Sequence, residues 1–168
     1  MSRFNERLAL GHVVESKIAK WLIARGCHVL PAYQIIEQKA NGPQLFSKAG
    51  NFVTPDMFVF SKSGALWIEA KHKTAFTYHR ITGRFVTGID LNHWGDYLEV
   101  KRLTSVECWL MFNHLGGTAK DSPPSPSGLF TGEIGELSKC VNHTHANWGK
   151  HGMIYWAIHS LKRIGEPL

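Results

Sequence analysis

Two short apolar runs, residues 56–60 and 65–71, are separated only by Ser61-Lys62-Ser63-Gly64, and this arrangement constrains the chain more than any other feature. Both runs are rich in aromatic and aliphatic residues, and the segment between them has turn composition, so together they predict a β-hairpin. Side chains alternate faces along a strand, which puts Glu69 and Lys71 on one face with Ala65 and Trp67. A turn centred on Lys62-Ser63 and a four-residue loop over 61–64 predict the same register, with Asp56 directly opposite Glu69. Directly opposed side chains have Cβ atoms ~4.5–5.5 Å apart. A slipped register would set Asp56 against Lys71 instead, as a plain salt bridge.

The rest of the chain supplies elements to pack on that hairpin. Leu10, Val14, Ile18, Trp21 and Leu22 recur at helical steps and predict a helix over residues 5–25, ended by Gly26 as a left-handed cap. Residues 27–30 suit a short strand, and residues 41–51, with glycine, proline and serine, suit a loop. A polar, basic stretch covers residues 72–87, and a second helix is expected over 91–103, capped by Asp90 or Asn92, with Trp94, Tyr97 and Leu98 on one face. Further strands are expected over 107–112, 129–131 and 153–158. Residues 116–128, with Pro123, Pro124 and Pro126 among serines, predict an exposed, mobile loop. The forty residues after that loop are too few for an independent core, so the expectation is a single domain over 1–168, with a core of about 5–113 and a C-terminal extension over 129–168.

The chemistry lies in the polar residues of the hairpin. Two carboxylates opposed on a strand pair repel each other, and a divalent cation offsets that repulsion while gaining hard oxygen ligands. Lys71 on the same face adds positive charge where a scissile phosphate would develop negative charge. A metal would add Lewis acidity and lower the pKa of its bound water. The formal charge of +6, with ten histidines besides, suits a polyanionic partner. The plainer alternatives are a surface ion pair between Glu69 and Lys71, a turn role for Asp56, and a basicity of no special meaning.

Pro55-Asp56, twelve intervening residues, then Glu69-Ala70-Lys71, resembles the signature of the PD-(D/E)xK, restriction-endonuclease-like nucleases. The pattern is most similar to archaeal-type Holliday junction resolvases and small phage or restriction-type nucleases. The resemblance implies an α/β fold with an α-β-β-β-α-β core, a mixed central sheet flanked by helices and extra C-terminal strands. It implies a DNA endonuclease using Mg2+ or Mn2+, structure-selective in the first instance. An exonuclease or restriction-type nuclease of the same fold, or a nucleic-acid-binding protein without turnover, are the alternatives. By position, Asp56 and Glu69 would bind the metal with the carbonyl of Ala70, Lys71 would position or activate water, and Glu15 matches a helix glutamate found in many members, with Glu6 a weaker substitute. DNA is the implied partner. Small nucleases of this kind often dimerise, although no homodimer interface is legible here.

Several other residues invite assignment. Lys73, Tyr78, Arg80 and Arg84 follow the catalytic strand directly and are expected to contact nucleic acid, with Arg80 and Arg84 straddling phosphates near the cut. Lys101 lies one turn from Tyr97 and is expected to face the same site. Cys140, His143 and His145 have a hint of zinc spacing but lack a paired-cysteine knuckle. Three widely separated cysteines and a charged N-terminus without secretory character favour a cytoplasmic protein, and no apolar run is long enough for a membrane span.

Overall fold

The computed structural model describes residues 3–32 and 43–168, with side chains from residue 13 onward in the first helix. That helix, α1, spans Arg3–Ile23. It buries Val14, Ile18 and Leu22, which lie on one face at four-residue steps. Ile18 is fully buried, and such burial contributes roughly 1.5–3 kcal/mol. Gly26 follows with φ of 82°, the left-handed conformation expected after the last helical turn. The side chains of Glu6 and Leu10 lie outside the described residues.

A six-stranded sheet forms the centre. Its strands are β1 (His28–Pro31), β4 (Met57–Ser61), β5 (Gly64–Lys73), β8 (Glu107–His114), β9 (Gly128–Glu133) and β12 (Lys162–Gly165), in the spatial order β1-β4-β5-β8-β9-β12. Only β5 and β8 pair in parallel; every other pairing is antiparallel. A parallel pair needs a crossover, and the segment between β5 and β8 supplies one. It contains β6 (Thr77–His79), β7 (Arg84–Asp90) and helix α2 (Leu91–Thr104). Asp90 caps α2 by accepting from the Asn92 amide at 2.9 Å, and Ser105 closes the other end with φ of 55°.

The two faces of the sheet carry separate apolar clusters. On one, Val14, Ile18 and Leu22 of α1 meet Met57, Val59, Ile68, Ala70 and Met111. On the other, Trp94 and Tyr97 of α2 meet Cys108, Leu110, Phe112 and Phe130. Alternation along β5 and β8 explains the division: Ile68, Ala70 and Met111 point to α1, while Leu110 and Phe112 point to α2. Glu69 and Lys71 therefore lie on the α2 side. The α-β-β-β-α-β order survives as α1, β1, β4, β5, α2 and β8, a mixed sheet between helices.

A second, antiparallel sheet of order β10-β11-β7-β6 joins β7 and β6 to β10 (Val141–His145) and β11 (Met153–Ala157). Its inward side chains Ile89, Ile154 and Trp156 belong to the α2-side cluster. A short helix α3 (Ile134–Leu137) lies before it, and the Trp156 indole donates to Leu137 O at 3.0 Å.

One expectation needs correction. The segment expected as a loop over 41–51 instead forms a hairpin, β2 (Gln44–Ser47) with β3 (Gly50–Val53), and only its first two residues lie outside the described chain. The Val53 amide donates to Asp96 on α2, which ties this hairpin down. The basic stretch over 72–87 extends β5 and builds the β6–β7 hairpin, in which Tyr78 and Phe85 pack edge to face. The proline-serine segment over 116–127 carries neither helix nor strand and is largely exposed, and hydrogen bonds tie it to the 72–87 stretch. Ser125 is buried; its hydroxyl accepts from the Phe76 amide and donates to Gly117 O, and Ser122 accepts from the Tyr78 amide. No helix among the described residues is long and apolar enough to cross a membrane.

Candidate active site

The β4–β5 turn pairs Ser61 with Gly64 and carries the register Met57 to Ile68, so Asp56, one residue before β4, stands opposite Glu69 as the turn composition predicts. The two carboxylates are locked by reciprocal backbone bonds. Asp56 Oδ2 accepts from the Ala70 amide at 2.8 Å, and Glu69 Oε2 accepts from the Asp56 amide at 3.2 Å. The Lys71 ammonium ion-pairs with Glu69 Oε1, and the Tyr97 hydroxyl of α2 donates to the same carboxylate. Glu69 is 1 % exposed, and its fixed partners on three sides leave it a single orientation.

The electrostatics follow from this crowding. Burial first, and then the adjacent Glu69, push the Asp56 carboxyl up to about 8, against the opposing pull of Lys71 and the Ala70 amide. Burial works against the Lys71 ammonium too, but Glu69 and Asp56 outweigh it and hold its pKa above the ordinary lysine value. Lys73, next on the same face, has no such carboxylate; burial and then Lys71 lower it to about 8. Burial, followed by Glu69 and Asp56, raises the Tyr97 phenol well above its usual value, so it remains a donor.

Two carboxylates held together in a buried position can both be ionised near neutral pH only with added positive charge between or beside them, and the donor set is hard oxygen. The N–H and C=O of a strand residue point to the same edge, and the Ala70 N–H is turned to Asp56 beyond the end of β4. Its carbonyl therefore faces the carboxylate side. Among the described residues, no three His, Cys, Asp or Glu side chains converge. A cation here would rest on two carboxylates, one carbonyl and water, a set that suits Mg2+, which keeps several waters and takes only one or two carboxylates.

No protein-family model matches the sequence, and no curated protein matches it. Among solved structures, the chain is similar to Hjc, a Holliday junction resolvase from the archaeal hyperthermophile Archaeoglobus fulgidus. The TM-score is 0.53, the identity 10 %, and the match covers 92 % of this chain and 91 % of that one. The likeness is one of fold: a mixed α/β arrangement shared with this resolvase. A nuclease from a fusselovirus, D212, also aligns, with a TM-score of 0.42 and 14 % identity over 94 % of this chain and 84 % of the other.

The structure gathers some of the residues expected at this site and leaves others apart. Asp56, Glu69, Ala70 and Lys71 come together. Glu15, half-buried on α1, acts electrostatically on both Asp56 and Lys71, which places it at the rim. Lys73 continues the face. Lys101 does not join them, because its ammonium pairs with Glu133 Oε1 at 2.6 Å. Tyr78 packs on Phe85 at the β6–β7 hairpin. Arg80 donates to Asp121 O and Arg84 contacts His159, so their partners lie away from the carboxylates. Cys140, His143 and His145 form no metal cluster: the Cys140 thiol donates to Glu136 O, and the His143 ring is stacked between His79 and Tyr155. Tyr97 is the residue whose role sequence reasoning left open. The signal was a lone hydroxyl on the apolar face of α2, since a buried tyrosine needs a partner for its O–H.

Proposed function

We propose that the protein is a metal-dependent deoxyribonuclease that hydrolyses phosphodiester bonds, with Asp56, Glu69 and Lys71 at its centre. The observation that carries this reading is the reciprocal clamp between Asp56 and Glu69, which holds two carboxylates together although their proximity and burial push Asp56 up to about 8. A structural ion pair needs no such second carboxylate. A bound Mg2+ or Mn2+ would supply Lewis acidity and a water acidic enough to attack phosphorus near neutral pH.

The chain's own residues then have distinct tasks. Asp56 and Glu69, with the Ala70 carbonyl, would hold the ion, and Asp56 must give up its proton to do so. Lys71 stays cationic through the whole working range and is aimed along the carboxylate face, where it can orient water and stabilise charge gathering on the scissile phosphate. Tyr97 fixes the Glu69 rotamer from behind, and Glu15 adds negative charge at the rim. Lys73 offers a second cation to the flanking phosphate.

The likeness to a resolvase favours branched DNA as the first substrate to try, with a linear-end exonuclease as the alternative. A binding protein without turnover is the third reading, and the intact Asp, Glu and Lys on one face argue against it. The test is incubation with Mg2+ and end-labelled linear, single-stranded, flapped and four-way-junction DNA. Internal nicks near the branch support the endonuclease, progressive shortening from ends supports the exonuclease, and intact DNA on every substrate rejects turnover.

A further inference from the structure

The outer face of the second sheet carries a cationic cleft that the proposed chemistry does not use. Phe85, Ile89, Ile154 and Trp156 point inward to the α2-side cluster, so alternation turns Arg84 and Gly88 of β7 and Tyr155 of β11 outward. On this face His143 and Tyr155 are register partners with rings stacked at 4.6 Å, and His79 from the β6–β7 hairpin stacks on His143 at 3.9 Å. β6 and β10 are opposite edges of the sheet, so the hairpin must curl over the outer face for that contact to form. The Asn142 amide reaches Thr82 Oγ1 across the same gap. The result is a concave cleft of about 520 Å3, bordered by Thr82, Arg84, Asn142, His159 and Ser160.

Among the described residues, no acidic side chain lines it. The exposed Arg84 guanidinium finds only the His159 ring there, at 3.2 Å, and a guanidinium facing a nitrogen heterocycle leaves most of its donors free for an anion. The same face continues through His145, with Trp148 edge-on to it and 62 % exposed, and the exposed Lys150 and His151 follow in the next turn of chain. Cations interleaved with exposed rings, without a carboxylate among them, suit a sugar-phosphate backbone and not a peptide. The cleft is on the outer face of this sheet, whereas the carboxylates lie on the inner side with Tyr97. The sheet itself lies between the cleft and Tyr97.

We propose that this cleft is a second nucleic-acid contact, in which Arg84 and His159 grip a backbone phosphate of a strand that extends beyond the catalytic centre. It goes beyond the nuclease reading and shares with it only the nucleic-acid ligand.

The experiment measures binding by fluorescence anisotropy in the full chain carrying Lys71→Ala, so that no strand is cut. The probes are a ~30-bp duplex and a dinucleotide, which is too short to occupy the carboxylate centre and the far-face cleft together. Arg84→Ala and His159→Ala should each weaken the long duplex several-fold and together about tenfold. Arg84→Ala should flatten the slope of log affinity against log salt by about one. The dinucleotide should bind as before, and Arg84→Lys should recover most of the loss. Equal losses on both probes would overturn the proposal, because the change would then act through the fold or the catalytic centre. Unchanged binding of the long duplex would overturn it too. Loss of thermal protection by inorganic phosphate in Arg84→Ala, with DNA binding intact, would assign the cleft to free phosphate instead. An Arg84 effect in a chain whose wild type never cuts DNA would sink the nuclease reading alone, and cutting without an Arg84 effect would sink this one alone.

Discussion

Replacing Asp56 by asparagine should stabilise the metal-free protein while destroying its chemistry. The structure supplies the magnitude. Burial and Glu69 raise Asp56 from 3.8 to about 8, so the folded state holds a proton that the unfolded chain releases. Stability from this group is complete below pH 3.8 and is lost progressively as the pH rises to about 8. At about 1.4 kcal/mol per pKa unit, the whole span sets a ceiling of roughly 6 kcal/mol. His114 works in the opposite direction at the acid end, since burial lowers it from 6.5 to about 3. Lys73, lowered to about 8 from 10.5, acts only above the window. Between pH 6.5 and 8 the Asp56 contribution therefore stands alone among the shifted groups at the site. It amounts to about 1–2 kcal/mol over that interval, or roughly 3–6 °C for a chain of this size. Asparagine carries no charge, its amide oxygen can still accept from the Ala70 N–H, and its NH2 can donate to Glu69. Thermal melts of wild type and Asp56→Asn in EDTA at the two pH values measure the gap. It should favour the variant at the upper pH and shrink by that amount at the lower. Added Mg2+ should close it by stabilising wild type alone, by ~2.7 kcal/mol at a hundredfold excess over Kd. A gap that ignores pH, or a variant that melts below wild type at the upper value, would refute the argument.

Asp56→Ala, Glu69→Ala and Lys71→Ala should each abolish cleavage and leave DNA binding largely intact, with a double variant hardly worse than a single one; a Lys71→Ala protein cutting at the wild-type rate would remove the proposed site. Mg2+ or Mn2+ should support cutting, Ca2+ should support binding without efficient cutting, and undiminished activity in excess EDTA would end the metal mechanism. Tyr97→Phe deletes one donor to a buried carboxylate, an interaction worth ~1.5–3 kcal/mol, and should lower kcat at least ~10-fold with little change in KM for DNA. Gly88→Ala would put a methyl 2.2 Å from Ile154 O and 2.7 Å from the Tyr155 ring, so the melting midpoint should fall by roughly 6–12 °C, for a cost of ~3 kcal/mol.

Local physics made much of this protein legible before any tertiary contact was known. The β4–β5 hairpin depends on a turn and on alternation within a few residues, which is why Asp56 could be set against Glu69 without a structure. The two main helices declare themselves by apolar periodicity and by caps at Gly26 and Asp90, again through neighbours in sequence. The rest depends on partners far along the chain. Lys101 and Tyr97 lie one turn apart on α2, yet Lys101 meets Glu133 from β9 while Tyr97 meets Glu69 from β5, because the parallel β5–β8 pairing and the antiparallel β8–β9 pairing set which strand faces which turn of the helix. Arg84 follows β5 closely in sequence, but pairing of β7 with β11 and β6 sends its side chain to the outer face of another sheet. The serines over 116–128 have loop composition, and only the amides of Phe76 and Tyr78, some forty residues earlier, turn that segment into a packed strap. Propensity and periodicity report what a residue does with its near neighbours; long-range strand pairing decided which of the polar residues share the carboxylate site.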